Sequence, residues 1–153
     1  MDELRRSLRM MKEDFDLVGA ISDYCRLASG RHRLDVRFER AGQERPVGPE
    51  RALALFRVLQ EAITNAAKHC PKGTVVDVTL VFNEGRATLT IRDRGPGFTL
   101  PSDPAILSRA GHYGLANMRE RAKKVSGKIR MTSAPGQGTC IELGVNAGEE
   151  LEQ

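Results

Sequence analysis

The stretch Phe56-Arg-Val-Leu-Gln-Glu-Ala-Ile-Thr-Asn-Ala-Ala-Lys-His69 has two faces of opposite chemistry. Leu55, Phe56, Leu59, Ala62, Ile63 and Ala66 recur at spacings of three and four, the stripe of a helix that buries one side. Glu61, Asn65 and Lys68 fall on the other side at i, i+4 and i+7, with His69 at its margin. A carboxylate, a carboxamide and an ammonium therefore stand in one column along about two helical turns. The two oxygen-bearing groups suit a hard cation such as Mg²⁺, and an ammonium one turn on suits a phosphate. An ordinary solvated helix face explains the same residues, so the column alone decides nothing.

Working outward, Pro49 is placed to open this helix and Pro71-Lys-Gly73 to stop it. Upstream, the spacing predicts a helix from Asp14 or Asp16 to about Ser29, with Leu17, Ile21, Tyr24 and Leu27 inward and Gly30 as its end. His32 falls in the polar connection that follows. A strand is expected from Leu34 to Glu39, where Leu34, Val36 and Phe38 alternate with charged residues, and a loop from Gly42 to Pro49. Residues 2–13 read as another helix, with Leu4, Leu8 and Met11 on one side and basic residues on the other.

Downstream, Val75 to Phe82 and Arg86 to Arg92 alternate apolar and polar residues around Asn83-Glu-Gly85, which predicts an antiparallel hairpin with one buried face. Directly after it stands Asp93-Arg-Gly-Pro-Gly-Phe98. A carboxylate at a strand end followed by two glycines lets backbone approach a ligand while the acid accepts a hydrogen bond; a plain turn uses the same residues. Thr99 to Ser108, interrupted by Pro101 and Pro104, reads as mobile. Gly111-His-Tyr-Gly-Leu115 then opens a helix through about Val125, with Leu115, Met118, Ala122 and Val125 inward and Ser126-Gly127 as its cap. Glycines at a helix N-terminus bare N–H groups for a phosphate, or simply make the chain flexible; His112 is either a phosphate contact or an exposed loop residue. Two last strands, Lys128 to Ser133 and Gly138 to Val145, flank the turn Ala134-Pro-Gly-Gln-Gly138, with Thr139 at a strand start.

At 153 residues, 40% of them hydrophobic and 29% charged, the chain has the size and composition of one soluble domain. Trp is absent and aromatics are few, so Leu, Ile, Val and Ala must build the core. No apolar run approaches the roughly 18 residues that cross a bilayer, and the start is no signal peptide, which predicts a cytoplasmic protein or the cytoplasmic part of a membrane-anchored receptor. Cys25, Cys70 and Cys140 are scattered, without zinc-ligand spacing, and are expected as reduced thiols. The net charge of +4 is not interleaved with stacking aromatics and belongs to no nucleic-acid motif; a phosphate ligand or an acidic protein accounts for it.

The order of these stretches is more telling than any one of them. Glu-x-x-x-Asn-x-x-Lys-His on a helix, Asp-x-Gly-x-Gly-Phe after a strand, Gly-x-x-Gly-Leu opening a helix and Gly-Thr on a strand together resemble the ATP-binding domain shared by histidine kinases, gyrase, heat-shock chaperones and mismatch-repair ATPases. The details are most similar to histidine kinases that signal to helix-turn-helix response regulators. Gln60 to His69, Gly111-His-Tyr-Gly-Leu115-Ala-Asn-Met-Arg-Glu-Arg121 and Ser133-Ala-Pro-Gly-Gln-Gly-Thr139 carry that likeness, which covers roughly residues 15–145.

The resemblance implies an α+β fold, a two-layer α/β sandwich of the Bergerat ATP-binding type, with helices on one face of a mixed, mostly antiparallel sheet. It implies ATP and Mg²⁺ as ligands, held between the long helix and a flexible lid. By it, Asn65 coordinates the metal and Glu61 orients water or supports the metal, while Lys68 and His69 meet the phosphates; Glu61, Asn65 and Lys68 form the catalytic set. Asp93 accepts the adenine amino group, Gly95 and Gly97 let the chain turn under the base, and Thr139 supports that contact. Gly111, His112, Gly114 and Leu115 form the nucleotide-facing lid hinge and helix start.

It further implies transfer of the γ-phosphoryl to a histidine on a separate dimerising bundle and from there to a response regulator. None of His32, His69 and His112 suits that acceptor role. The expected organisation is therefore the end of a bundle helix or linker over 1–13, an ATP-binding catalytic domain over 14–145 and an acidic tail over 146–153. As a catalytic fragment it is expected to be monomeric, without membrane contact of its own. The alternative expectation is a stand-alone regulator of the anti-sigma type that acts by protein binding or phosphorylates serine.

Overall fold

A computed structural model describes residues 16–99 and 113–148. The helix expected over 2–13, most of the Thr99 to Ser108 stretch, the loop residues Gly111 and His112, and residues 149–153 lie outside the described residues. In chain order the elements are α1 (Leu17–His32), β1 (Asp35–Ala41), α2 (Pro49–His69), β2 (Val75–Asn83), β3 (Arg86–Asp93), α3 (Tyr113–Lys124), β4 (Lys128–Ala134) and β5 (Gly138–Asn146).

Helix α1 starts where a side chain can satisfy its orphan amides: Asp16 Oδ1 accepts the Gly19 N–H at 2.9 Å. Its inner face is Leu17, Ile21, Tyr24, Cys25 and Ala28. Three expectations fail here. The helix continues through Gly30 to His32, and Arg33 ends it in the left-handed region at φ 55°. Gly30 is exposed and permissive rather than obligatory as a stop, whereas the Arg33 carbonyl is fixed by the Gly73 N–H at 2.8 Å. His32 is thus the last helical residue, not part of a loop. Leu27 points outward, 56% exposed, because Cys25 and Ala28 fill the inward positions beside it.

Helix α2 follows its sequence more closely. Pro49 stands in its first turn, and Leu55, Phe56, Leu59, Ala62, Ile63 and Ala66 are all buried. Tyr24 of α1 meets Phe56 edge-on, ring centroids 5.4 Å apart.

The five strands form one sheet in the order β1-β2-β3-β5-β4. β1 and β2 run parallel, and every other neighbouring pair is antiparallel. A parallel pair needs a crossover, and α2 supplies it, packing on α3, β3 and β5 on the way. The sheet is two-faced. Val76, Val78, Leu80 and Phe82, with Ala87, Leu89 and Ile91, and Ile141, Leu143 and Val145, join the helices in one core. The alternate residues Thr79, Thr88 and Thr90 stay half-exposed on the other side. This is the α+β two-layer sandwich, helices on one face of a mixed, mostly antiparallel sheet.

The β2–β3 turn places Glu84 and Gly85 both at positive φ, 52° and 74°, the geometry that matches strand twist in a two-residue hairpin. Helix α3 ends as expected at Ser126-Gly127: the Gly127 N–H reaches the Ala122 carbonyl at 2.8 Å and the Ser126 N–H that of Lys123 at 3.1 Å. Ser126, not the glycine, takes the left-handed conformation.

Leu59 lies fully buried where α2 crosses the sheet. Leu59→Ala is expected to destabilise the domain by about 2–5 kcal/mol, read as a lower urea midpoint at unchanged slope.

Candidate functional site

Burying the apolar stripe of α2 leaves its polar column beside the sheet, over the ends of β3 and β5. A cavity of about 340 Å³ opens there. Its walls include Glu61, Asn65, Lys68 and His69 of α2, Asp93 at the end of β3, Gly97 and Phe98 of the following loop, Gly114 and Leu115 of α3, and Thr139 of β5. Ala62, Ile91 and Ile141 add an apolar lining. Ile91 and Ile141 are register partners across β3 and β5, so the sheet itself makes that surface. Motif residues up to 78 positions apart in sequence, from Glu61 to Thr139, are thus gathered on one concavity, as their order along the chain suggested.

Asp93 is the best-held of these groups. As the last residue of β3 it faces Val76 on one side and Thr139 on the other. Its Oδ1 accepts the Gly95 N–H at 2.9 Å and the Thr139 N–H at 3.3 Å. Two amides from separate segments therefore fix one carboxylate, which remains able to accept from a ligand because an ionised carboxylate has about four lone-pair sites.

The loop after Asp93 is fastened by Ser133, to which sequence reasoning assigned no role. Ser133 Oγ accepts the Phe98 N–H at 2.9 Å, lies 3.1 Å from the Gly138 carbonyl and 2.8 Å from Thr139 Oγ1. The Gly136 N–H also donates to the Pro96 carbonyl at 2.6 Å. Gly97 is required in this loop: its φ is 67°, and a Cβ there would overlap the Ala134 carbonyl. Gly95 sits behind the cavity wall, where a Cβ would overlap the Cys70 sulfur. The Thr139 hydroxyl is directed to Ser133, so Thr139 serves Asp93 through its backbone amide.

On α2, Glu61 and Asn65 are half-buried, and Lys68 and His69 are exposed at the rim. Among the described residues the side chains of Glu61, Asn65 and Lys68 have no hydrogen-bond or ion-pair partner. A carboxylate and a carboxamide one turn apart fit a hard cation that takes its other ligands from phosphate and water. No cluster of three His, Cys, Asp or Glu that would hold a metal unaided occurs among the described residues. The start of α3 approaches closely: a Cβ at Gly114 would stand 2.7 Å from Glu61 Oε2. Gly111 and His112, expected at the same end, are outside the described residues.

Sequence reasoning also missed Cys70, which lines the cavity beyond His69. Burial, then the negative charge of Asp93 and a hydrogen bond to it, push this thiol up to about 12. Burial alone does the same to Cys25 in the core. The signal for Ser133 was present, since it opens the quoted stretch ending at Thr139; nothing in local spacing singled out Cys70.

An acid held by two backbone amides beside an apolar floor and an oxygen-bearing column leading to a lysine thus line one cavity. The family model for the histidine kinase-, DNA gyrase B-, and HSP90-like ATPases matches residues 50–148, and the chain belongs to that family. It is similar to the signal transduction histidine-protein kinase/phosphatase DegS of Brevibacillus brevis, 28% identical over 94% of this chain and 36% of that protein. It is also similar to the nitrate/nitrite sensor protein NarX of Escherichia coli strain K12, 30% identical over 91% of this chain and 22% of that protein. The chain thus spans little more than a third of the length of the first relative and less of the second. The histidine kinase domain of the Erythrobacter litoralis EL346 blue-light activated kinase shares the fold, with a TM-score of 0.72 at 18% identity over 90% of this chain and 64% of that one.

Ser133→Ala removes the acceptor of the Phe98 amide and a partner of Thr139. It is expected to destabilise the domain by about 1–3 kcal/mol and to speed hydrogen exchange at Phe98 more than in the β2–β3 hairpin.

Proposed function

We propose that this domain binds Mg·ATP in the cavity and presents its γ-phosphoryl group to a histidine on a separate helical bundle, from which it passes to an aspartate of a response regulator. The observation that carries the reading is the Asp93 carboxylate, pinned by the Gly95 and Thr139 amides at the edge of an apolar floor made by Ile91 and Ile141. An anionic acceptor in that position selects a base that offers an amino N–H. Adenine does so, and its flat ring suits the apolar lining.

The other end follows from α2. Glu61 to Lys68 spans about 10 Å along the helix axis, room for a phosphate chain beside the column. In this reading Asn65 and Glu61 hold the cation, which when bound neutralises phosphate charge. Lys68 and His69 add positive character at the rim, and Gly114 and Leu115 bring the N-terminus of α3 toward the same anion. Gly111 and His112, just before it in sequence, complete the proposed set of phosphate contacts. Catalysis then consists mainly of positioning and charge neutralisation, the usual demands of phosphoryl transfer. The acceptor histidine is supplied by a bundle outside residues 14–145, with residues 1–13 as the end of its helix or the linker to it. Among the described residues no helix is long and apolar enough to cross a membrane; a cytoplasmic location is part of this proposal.

Titration with a fluorescent ATP analogue, with and without Mg²⁺, tests the reading. Asp93→Asn is expected to weaken binding at least about tenfold, the loss of a hydrogen bond to a charged group. Asn65→Ala is expected to abolish mainly the Mg²⁺-dependent part of the affinity. Unchanged binding by Asp93→Asn would contradict the proposal.

A further inference from the structure

We infer that Ser133 is a positioning residue for the base end of the nucleotide: its hydroxyl closes a hydrogen-bonded ring that sets the Phe98 loop and the Asp93 carboxylate together. This rests on the nucleotide reading above and adds to it a determinant of affinity that touches no ligand.

Ser133 lies on β4, half-buried, behind the cavity wall rather than on it. Its Oγ accepts the Phe98 N–H at 2.9 Å and lies 3.1 Å from the Gly138 carbonyl and 2.8 Å from Thr139 Oγ1. A hydroxyl has one proton to give and two lone pairs. With the Ser133 proton on the Gly138 carbonyl and the Thr139 proton on Ser133 Oγ, all three positions are filled.

Followed through the chain, these bonds form a closed circuit. The Thr139 N–H donates to Asp93 Oδ1 at 3.3 Å, and the same oxygen takes the Gly95 N–H at 2.9 Å. From Asp93 the loop runs through Gly97 to Phe98, Phe98 returns to Ser133, and Ser133 returns to Thr139. Both ends of the loop are thereby referred to one residue of β5. The fit is close: a Cβ on Gly138 would overlap the Asp93 carbonyl, so the start of β5 is pressed against the residue that carries the acid. The Gly136 N–H on the Pro96 carbonyl ties the middle of the loop to the β4–β5 turn, but it does not join Phe98 to Thr139. Ser133 does.

The position of the circuit says what it controls. Asp93, Gly97, Phe98 and Thr139 line the cavity where the base is placed, whereas Asn65 and Lys68 stand on α2, outside the ring. Opening the ring at Ser133 leaves Asp93 its two amides but releases the far end of the loop. The ligand must then order that end as it binds, and affinity falls by the same factor whether or not a cation accompanies the phosphates.

The test compares Ser133→Ala, Ser133→Thr and Ile21→Val in the full chain. Ile21 is a core residue of α1 outside the cavity lining, so its variant reports loss of stability alone. Fluorescent-ATP affinity with and without Mg²⁺, melting temperature, and hydrogen exchange of the Phe98 amide with and without ATP are measured for each. Ser133→Ala is expected to lose about fivefold in affinity in both conditions, and ATP is expected to slow exchange at Phe98 by a larger factor than in the wild type. Ser133→Thr, which keeps the hydroxyl, is expected to stay within about twofold of wild type. Ile21→Val is expected to lower the melting temperature and leave affinity unchanged. Should Ser133→Ala not fold, Ser133→Cys keeps the size with a much weaker acceptor and carries the same comparison. The inference is overturned if the variant without a hydroxyl keeps wild-type affinity, if its loss appears only with Mg²⁺, if threonine does not restore binding, or if Ile21→Val loses affinity equally. Absence of ATP binding by the wild type would overturn the nucleotide reading itself; wild-type binding that is lost in Asp93→Asn and untouched in Ser133→Ala overturns this inference alone.

Discussion

Helix α2 can bury its stripe of Leu55, Phe56, Leu59, Ile63 and Ala66 only by lying across the sheet, and most of the molecule is arranged around that demand. Each fully buried leucine or isoleucine contributes about 1.5–3 kcal/mol, so rotation of the helix about its axis is strongly opposed. With the rotation fixed, Glu61, Asn65 and Lys68 have one possible direction, into the space over the ends of β3 and β5. The packing that stabilises the fold and the aim of the polar column are therefore the same fact seen from two sides of one helix.

The opposite wall is held by hydrogen bonds rather than by apolar area. The loop after β3 contains two glycines and a proline, and on its own would sample many conformations. Asp93 closes its start through Gly95, Ser133 closes its end through Phe98, and the Pro96 carbonyl takes the Gly136 amide between them. The acid is thereby set before any ligand arrives, and an oriented acceptor contributes more to selectivity than one that must be ordered on binding. The two walls meet at Cys70, where the helix ends against the loop.

Much of this was readable from residue order. The period of α2, the alternation in β2 and β3, the Asp16 cap and the Ser126-Gly127 stop are local signals, encoded within a few residues. The motif residues Glu61, Asn65, Lys68, His69, Asp93, Gly97, Gly114, Leu115 and Thr139 do share one cavity. What stayed hidden depends on distant partners. Gly30 reads as a stop, yet α1 runs on to His32, and the Gly73 N–H, forty residues beyond Arg33, donates to the Arg33 carbonyl at its end. Leu27 falls at helical spacing with Leu17, Ile21 and Tyr24, but Cys25 and Ala28 already fill that side. Ser133 reaches Phe98 across 35 residues, and Cys70 packs its sulfur against Gly95 across 25. Periodicity carries no information about such pairs.

The most direct measurement is a ¹H–¹⁵N correlation titration of the labelled chain with a non-hydrolysable ATP analogue, first without and then with Mg²⁺. A nucleotide seated as proposed shifts the Gly95, Gly97 and Thr139 amides in both conditions, and adds shifts at Asn65 and Lys68 when Mg²⁺ is present. Shifts confined to another surface, such as the separate concavity lined by Arg45, Pro46, Phe82 and Gly85, or none at saturating ligand, would contradict the placement of the base at Asp93 and of the phosphates along α2.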